Sequence, residues 1–180
     1  MSIAGFDSAR FFSTYESNLV GPLTLVSDGE RLAQCRFATE KHPYDISGLE
    51  RKDTLAVFRE TRNWLDRYFS GERPTPSELD IAPQGTSFQM RVWNEIAKIP
   101  YGETTTYGDI AKELTRQGYP TSARAVGNAT GRNSMVVIIP CHRVMGTGNK
   151  LTGFGGGSPL KKKLLELEGV DTSAMREPGK

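Results

Sequence analysis

The segment Arg73-Pro74-Thr75-Pro76-Ser77-Glu78 separates two halves of the chain that carry different hydrophobic periods. Proline lacks a backbone donor and restricts the residue before it, so neither a helix nor a sheet ladder runs through this stretch. Before it, residues 10–37 read as strands, with Asp28-Gly29 between LTLV and RLAQCRF as a hairpin turn. Leu55, Phe58, Trp64, Leu65, Tyr68 and Phe69 then recur at helical spacing, and Gly71 is placed to end the helix. The expectation is an α+β chain. A small N-terminal α/β domain with an antiparallel sheet spans 1–80, a mainly helical domain spans 84–170, and 171–180 form a flexible tail.

Helix signals dominate the second half. Thr86 and Gln89 have the spacing of a capping box, ahead of a helix that would bury Phe88, Val92, Trp93 and Ile96. Pro100-Tyr101-Gly102 ends it, and Thr106 caps a helix through Ile110 and Leu114. RQGYP makes a turn, and a short helix follows from a Thr121 cap. The last helix starts from Ser158 with Pro159 at its first position, and Gly169 follows its end. Two short helices joined by a glycine-containing turn at 106–130 have the outline of a helix-turn-helix. The second is lined by Ala123, Ala125, Gly127 and Ala129, with Arg124 the only charge among them. Such a face suits close approach to a rigid partner such as DNA, and equally suits tight helix packing.

Charge leans the same way. Residues 1–80 carry a net −3 and residues 81–170 a net +5, within a total of +2. A basic half is suited to meeting a polyanion. No apolar run reaches the roughly 18 residues a membrane span needs, and MSIAGFDSARFFSTYESN lacks a basic end followed by an apolar block. A cytoplasmic, non-membrane protein is expected, with Cys35 and Cys141 as free thiols. Cys35 reads as a core residue on a strand and His42 as a solvated loop residue. The sequence holds no CxxC or HxxxH pair, so no metal is expected.

Chemistry concentrates in Ile138-Ile139-Pro140-Cys141-His142-Arg143-Val144. Here a core strand starting at Met135 would stop at a proline and present a thiol, an imidazole and a guanidinium. A free cysteine is either a small buried hydrophobe or, with its pKa lowered by His142 or Arg143, a nucleophile. On an extended segment His142 would point away from Cys141. A sharp turn at Pro140 or a bridging water would let the imidazole act on the thiol, and an acidic residue would then orient His142.

The blocks IPYGETTTYGDIA, SARAVGNATGRN, IIPCHRVMG, GFGGG and KKLLELEG, in this order, resemble the O6-alkylguanine-DNA alkyltransferases, also called methylated-DNA–protein-cysteine methyltransferases. The resemblance is strong over about 84–169 and loose before it. It implies DNA repair without a cofactor, by stoichiometric and irreversible transfer of an alkyl group from O6-alkylguanine in duplex DNA to Cys141, and leaves O4-alkylthymine open. His142 would act on Cys141 through water, Glu168 would hold the other imidazole nitrogen, and Asn133 would brace the link to the DNA-binding helices. Tyr107 would press on the DNA backbone, help rotate the nucleotide out, and serve the flipped guanine. Arg124 would fill the emptied stack, with Ala123, Ala125 and Gly127 letting this helix of a winged helix-turn-helix-like element enter the DNA minor groove. Val144 and the backbone of Cys141 would read the guanine amino edge, within a pocket completed by Phe154, Gly155 and Gly156. Where many members have tyrosine this chain has Phe154, which keeps a wall and loses a donor. The zinc ligands of some members are missing. The partner would be double-stranded DNA, met by a protein that is monomeric when free and able to assemble cooperatively on DNA. A cysteine hydrolase using Cys141 and His142, and a non-catalytic sensor of alkylated bases, are the rival readings.

Overall fold

The structure, a computed structural model, describes residues 9–41 and 43–177. His42 lies outside the described residues. The chain forms two compact units. One takes the chain up to Gln84 together with Ser134–Ile138, and the other takes Gly85–Asn133 and everything from Ile139 onward. The expected single boundary before Gln84 therefore misses the return of 134–138 to the first unit.

In the first unit, strands β1 (Phe11–Ser17), β2 (Gly21–Ser27) and β3 (Leu32–Phe37) form an antiparallel meander. Asp28 accepts the N–H groups of Glu30 and Arg31 and so closes the expected β2–β3 turn. The sheet is nevertheless mixed and not purely antiparallel, because β4 (Glu50–Arg51) joins β1 in parallel, giving the order β3-β2-β1-β4. Ile81 and Met135 add parallel bridges to Leu32 and Cys35. Helix α1 (Ala56–Phe69) buries Phe58, Leu65 and Tyr68 on its inward face, and Gly71 follows at φ +89. The proline-rich segment folds back on α1: Trp64 donates its indole N–H to Thr75 O at 2.8 Å, and Pro76–Glu78 make a 3-10 turn. Cys35 is fully buried, and burial pushes its thiol up to about 12.

The apolar run at 135–139 is not a strand. After the Met135 bridge, residues 136–138 turn, and Val137 adopts φ +71 although it is β-branched. A run of buried apolar residues does not by itself distinguish a strand from a buried turn.

The second unit contains α2 (Ser87–Ala97), α3 (Tyr107–Arg116), α4 (Ala123–Thr130) and α5 (Gly157–Leu167), plus the short parallel strands β5 (Thr105–Thr106) and β6 (Val144–Met145). A true capping box at Thr86 and Gln89 starts α2. Val92, Trp93 and Ile96 are buried as expected, whereas Phe88 is only half-buried. Thr106 caps α3 by accepting Asp109 N–H. The cap of α4 is Ser122 and not Thr121: Ser122 Oγ accepts Ala125 N–H at 3.2 Å. Ser158 makes no cap on α5, since its hydroxyl donates to Glu177. Helices α2, α3 and α4 pack together, and Trp93 bonds Ala129 O at 2.9 Å. Strands β5 and β6 run parallel, and a single antiparallel bridge joins Gly146 to Lys150. Residues 171–177 are held, against the expectation of a flexible tail. Leu151 and Arg176 share a backbone bond, Thr172 is buried, and Met175 packs on Met145, Leu151 and Leu165. No helix among the described residues is long and apolar enough to cross a membrane.

Candidate active site

Pro140 creates the sharp turn that the sequence leaves open. At φ −79 and ψ 62 it forms an inverse γ-turn, closed by Cys141 N–H to Ile139 O at 2.8 Å. Cys141–Arg143 continue as one 3-10 turn, so the thiol and imidazole are not splayed to opposite faces of a strand. Asn133 Nδ2 donates to the same Ile139 carbonyl at 2.8 Å and pins the turn from the end of α4.

His142 is fully buried, and its Nε2 lies 2.7 Å from Glu168 Oε1. Glu168 stands at the C-terminal end of α5. It also accepts a forked pair from Arg143, at 2.8 Å from Nε and 2.9 Å from Nη2. Arg143 is held in turn by its Nη1 donating to Ile99 O at 2.6 Å. Gly102 N–H reaches Glu168 Oε2 at 3.1 Å, and Tyr101 Oη–H reaches Leu167 O at 3.1 Å. The Pro100-Tyr101-Gly102 turn thus serves the carboxylate as well as ending a helix. Gly102 sits at φ +80 with its Cα facing Glu168 O, where a Cβ would come to 3.0 Å.

The electrostatics follow from this arrangement. Burial acts to raise the Glu168 pKa, but the bonds from His142 and Arg143 outweigh it and hold the carboxyl well below the usual range. Burial lowers the His142 pKa against the pull of Glu168, so the imidazole is neutral near pH 7. Burial raises the Cys141 pKa, while the Asn133 amide, the Lys161 ammonium and two backbone N–H groups favour the thiolate.

Tyr107, at the start of α3, is half-buried and donates its hydroxyl to Thr152 O at 2.7 Å. Burial pushes its pKa up to about 12. Its ring lies beside Gly127 of α4, and its hydroxyl occupies the space a Cβ on Gly153 would need. Phe154 is half-buried, edge-on to His142 with ring centroids 6.5 Å apart. Gly155 and Gly156 lead from it into α5, and Val144 opens β6 immediately after the Cys141–Arg143 turn. Ala123 and Arg124 are exposed at the start of α4, with Ala125 and Gly127 half-exposed.

Cys141, His142, Glu168 and Asn133 are therefore brought together, with Tyr107, Val144 and Phe154 alongside. Arg143 belongs to Glu168, in place of the thiol-activating role the sequence offered it. Two residues escaped the sequence reading. Gly153 could have been found as the first glycine of GFGGG. Lys161 stands in the charged KKK run at 161–163, yet it is fully buried. It precedes Leu164 and Leu165 by three and four residues and so shares their helix face. Among the described residues no group of His, Cys, Asp and Glu is placed to hold a metal.

Comparison with known proteins gives two family matches. The profile described as "6-O-methylguanine DNA methyltransferase, DNA binding domain" matches residues 87–170. The profile described as "6-O-methylguanine DNA methyltransferase, ribonuclease-like domain" matches 11–83. A methylated-DNA–protein-cysteine methyltransferase of Methanosarcina acetivorans is 42% identical over 161 residues, covering 88% of this chain and 98% of the relative. One of Haemophilus influenzae is 40% identical, covering 88% and 87%. The crystal structure of Mycobacterium tuberculosis OGT in complex with DNA is similar with a TM-score of 0.77 at 40% identity, covering 88% of this chain and 92% of that one. A buried Cys-His-Glu constellation in the matched region and likeness along both halves lead to one conclusion: the chain belongs to the O6-methylguanine DNA methyltransferase family, whose reaction is the direct repair of O6-methylguanine in DNA.

Proposed function

We propose that Cys141 is the alkyl acceptor, and that it takes the group from O6-alkylguanine in duplex DNA after the nucleotide has been rotated out of the stack. The observation that carries this reading is the commitment of His142 Nε2 to an anionic Glu168. That bond makes Nδ1 the basic nitrogen on the thiol side. A water between Nδ1 and the thiol passes the proton, and the carboxylate stabilises the imidazolium so formed. The thiolate attacks the alkyl carbon in line, the C–O6 bond breaks, and its electron pair returns to the purine. A proton delivered to the purine as it leaves completes the balance. Tyr107 is a donor for that step if its hydroxyl turns from Thr152 O to the base.

The product is a thioether, which unlike a thioester or disulfide is not readily opened by water or by another thiol. Each molecule therefore acts once. Base flipping is needed because O6 is stacked and paired in the duplex, and it costs a few kcal/mol, least for a damaged pair. The exposed small-residue start of α4 suits insertion into a minor groove, with Arg124 filling the vacated stack. Phe154 supplies a wall beside His142 and no donor to O6, so O6 recognition falls to backbone N–H groups in 155–157, to Tyr107, or to water.

Mass mapping tests the assignment. After incubation with an O6-methylguanine duplex, the peptide containing Cys141 gains the mass of one methylene, and Cys141→Ser shows no gain while keeping DNA affinity. Transfer by Cys141→Ser at the wild-type level would end the proposal.

A further inference from the structure

We infer that Lys161 is a positioning residue for alkyl transfer: its ammonium group ties the acceptor segment to the 152–157 loop and favours the thiolate of Cys141 over the thiol. Lys161 lies on the inward face of α5, fully buried, while its neighbours Lys162 and Lys163 are exposed. Its Nζ donates to Val144 O at 2.5 Å and to Thr152 O at 2.9 Å. Thr152 O also receives the Tyr107 hydroxyl. One ammonium thus joins the strand that follows the acceptor turn, the loop that carries Phe154, and the first residue of α3.

Two carbonyls satisfy donors without neutralising a charge. Among the described residues Lys161 forms no ion pair with a carboxylate, although an unpaired buried ammonium is costly. A leucine or methionine at this helix position would avoid that cost. The negative charge that would compensate it is the Cys141 thiolate, which attracts the ammonium as the ammonium favours the thiolate. Burial lowers the Lys161 pKa to about 8, so it remains largely charged at neutral pH. The other titratable groups facing this cluster are His142, whose protonation Lys161 disfavours, Tyr107, and beyond His142 the Arg143–Glu168 pair. Lys161 therefore favours sulfur as the anion, while Glu168 offsets its weaker repulsion of the imidazolium that receives the proton.

This inference rests on the reading of Cys141 as acceptor. Its test is the pH dependence of single-turnover transfer from free O6-benzylguanine, which needs no DNA. In Lys161→Met and Lys161→Gln the rate falls about tenfold at pH 7, and the rising limb of the profile moves up by about one pH unit, as expected for loss of a nearby opposite charge. Lys161→Arg keeps the wild-type limb. Lys161→Gln retains an N–H donor, so it reads the charge effect even if the methionine variant does not fold. Equal slowing of both neutral variants at every pH, or no change at pH 7, overturns the role. Peptide mapping of each reaction separates the two readings: an adduct away from Cys141 refutes the acceptor, whereas an adduct on Cys141 with an unshifted limb refutes Lys161 alone.

Discussion

Glu168 is where several weak-looking residues become one device. Its carboxylate is fully enclosed and accepts from His142, twice from Arg143, and from Gly102 N–H. Removing one member of such a buried set leaves charge uncompensated, so Glu168→Ala is expected to lower stability by about 3–5 kcal/mol. Urea denaturation measures this, and the same variant should slow transfer because Nε2 of His142 loses its anchor. Glu168→Gln keeps the shape and one acceptor and should retain more stability than activity. Cys141 and His142 were legible in the sequence, because a proline followed by thiol, imidazole and guanidinium is a short local pattern. Lys161 was not, because a lysine in a run of three reads as solvated until the face of its helix is known.

At the scale of elements, capping chemistry was legible at α2 and α3, off by one residue at α4, and wrong at α5, where Ser158 is no cap. Thr86 with Gln89, and Thr106 with Asp109, cap as their spacing suggests. At α4 two hydroxyl residues compete, and backbone geometry selects Ser122, which has φ −123 and ψ 156 and bonds Ala125 N–H. Ser122→Ala should therefore cost about 1 kcal/mol of stability, while Thr121→Ala should stay within about 0.5 kcal/mol of wild type. Thermal melts of the two variants decide between the caps. The exposed face of the same helix carries a separate expectation. Arg124→Ala should slow transfer from a duplex far more than transfer from free O6-benzylguanine, and equal slowing of both would remove Arg124 from base flipping. The run at 135–139 marks the limit of element reading. Its apolar residues are equally at home in a strand or in a buried turn, and only the surrounding packing holds Val137 at a positive φ.

For the whole molecule, the buried His142–Glu168 pair links stability to pH. The folded state keeps His142 neutral, so as pH falls through about 6.5 the unfolded chain binds a proton that the folded chain resists. The folded state also holds Glu168 ionised, so below about 4.5 the unfolded chain gains a second proton advantage. Both effects have the same sign: stability should fall as pH is lowered below neutrality, more steeply in acid, and denaturant midpoints from pH 8 to pH 4 measure it. Glu168→Gln should flatten the acid part of that curve. By itself, the sequence determined the split into a strand-rich half and a helical half, the caps of α2 and α3, and the juxtaposed thiol and imidazole of Cys141 and His142. Each of these depends on neighbours a few positions away. Tertiary structure alone decided that 134–138 return to the first unit, that Arg143 serves a glutamate 25 residues distant, and that Lys161 is buried against two carbonyls. The reason is physical: the energy of a charge or an apolar run depends on what surrounds it, and those surroundings are assembled from segments far apart in the chain.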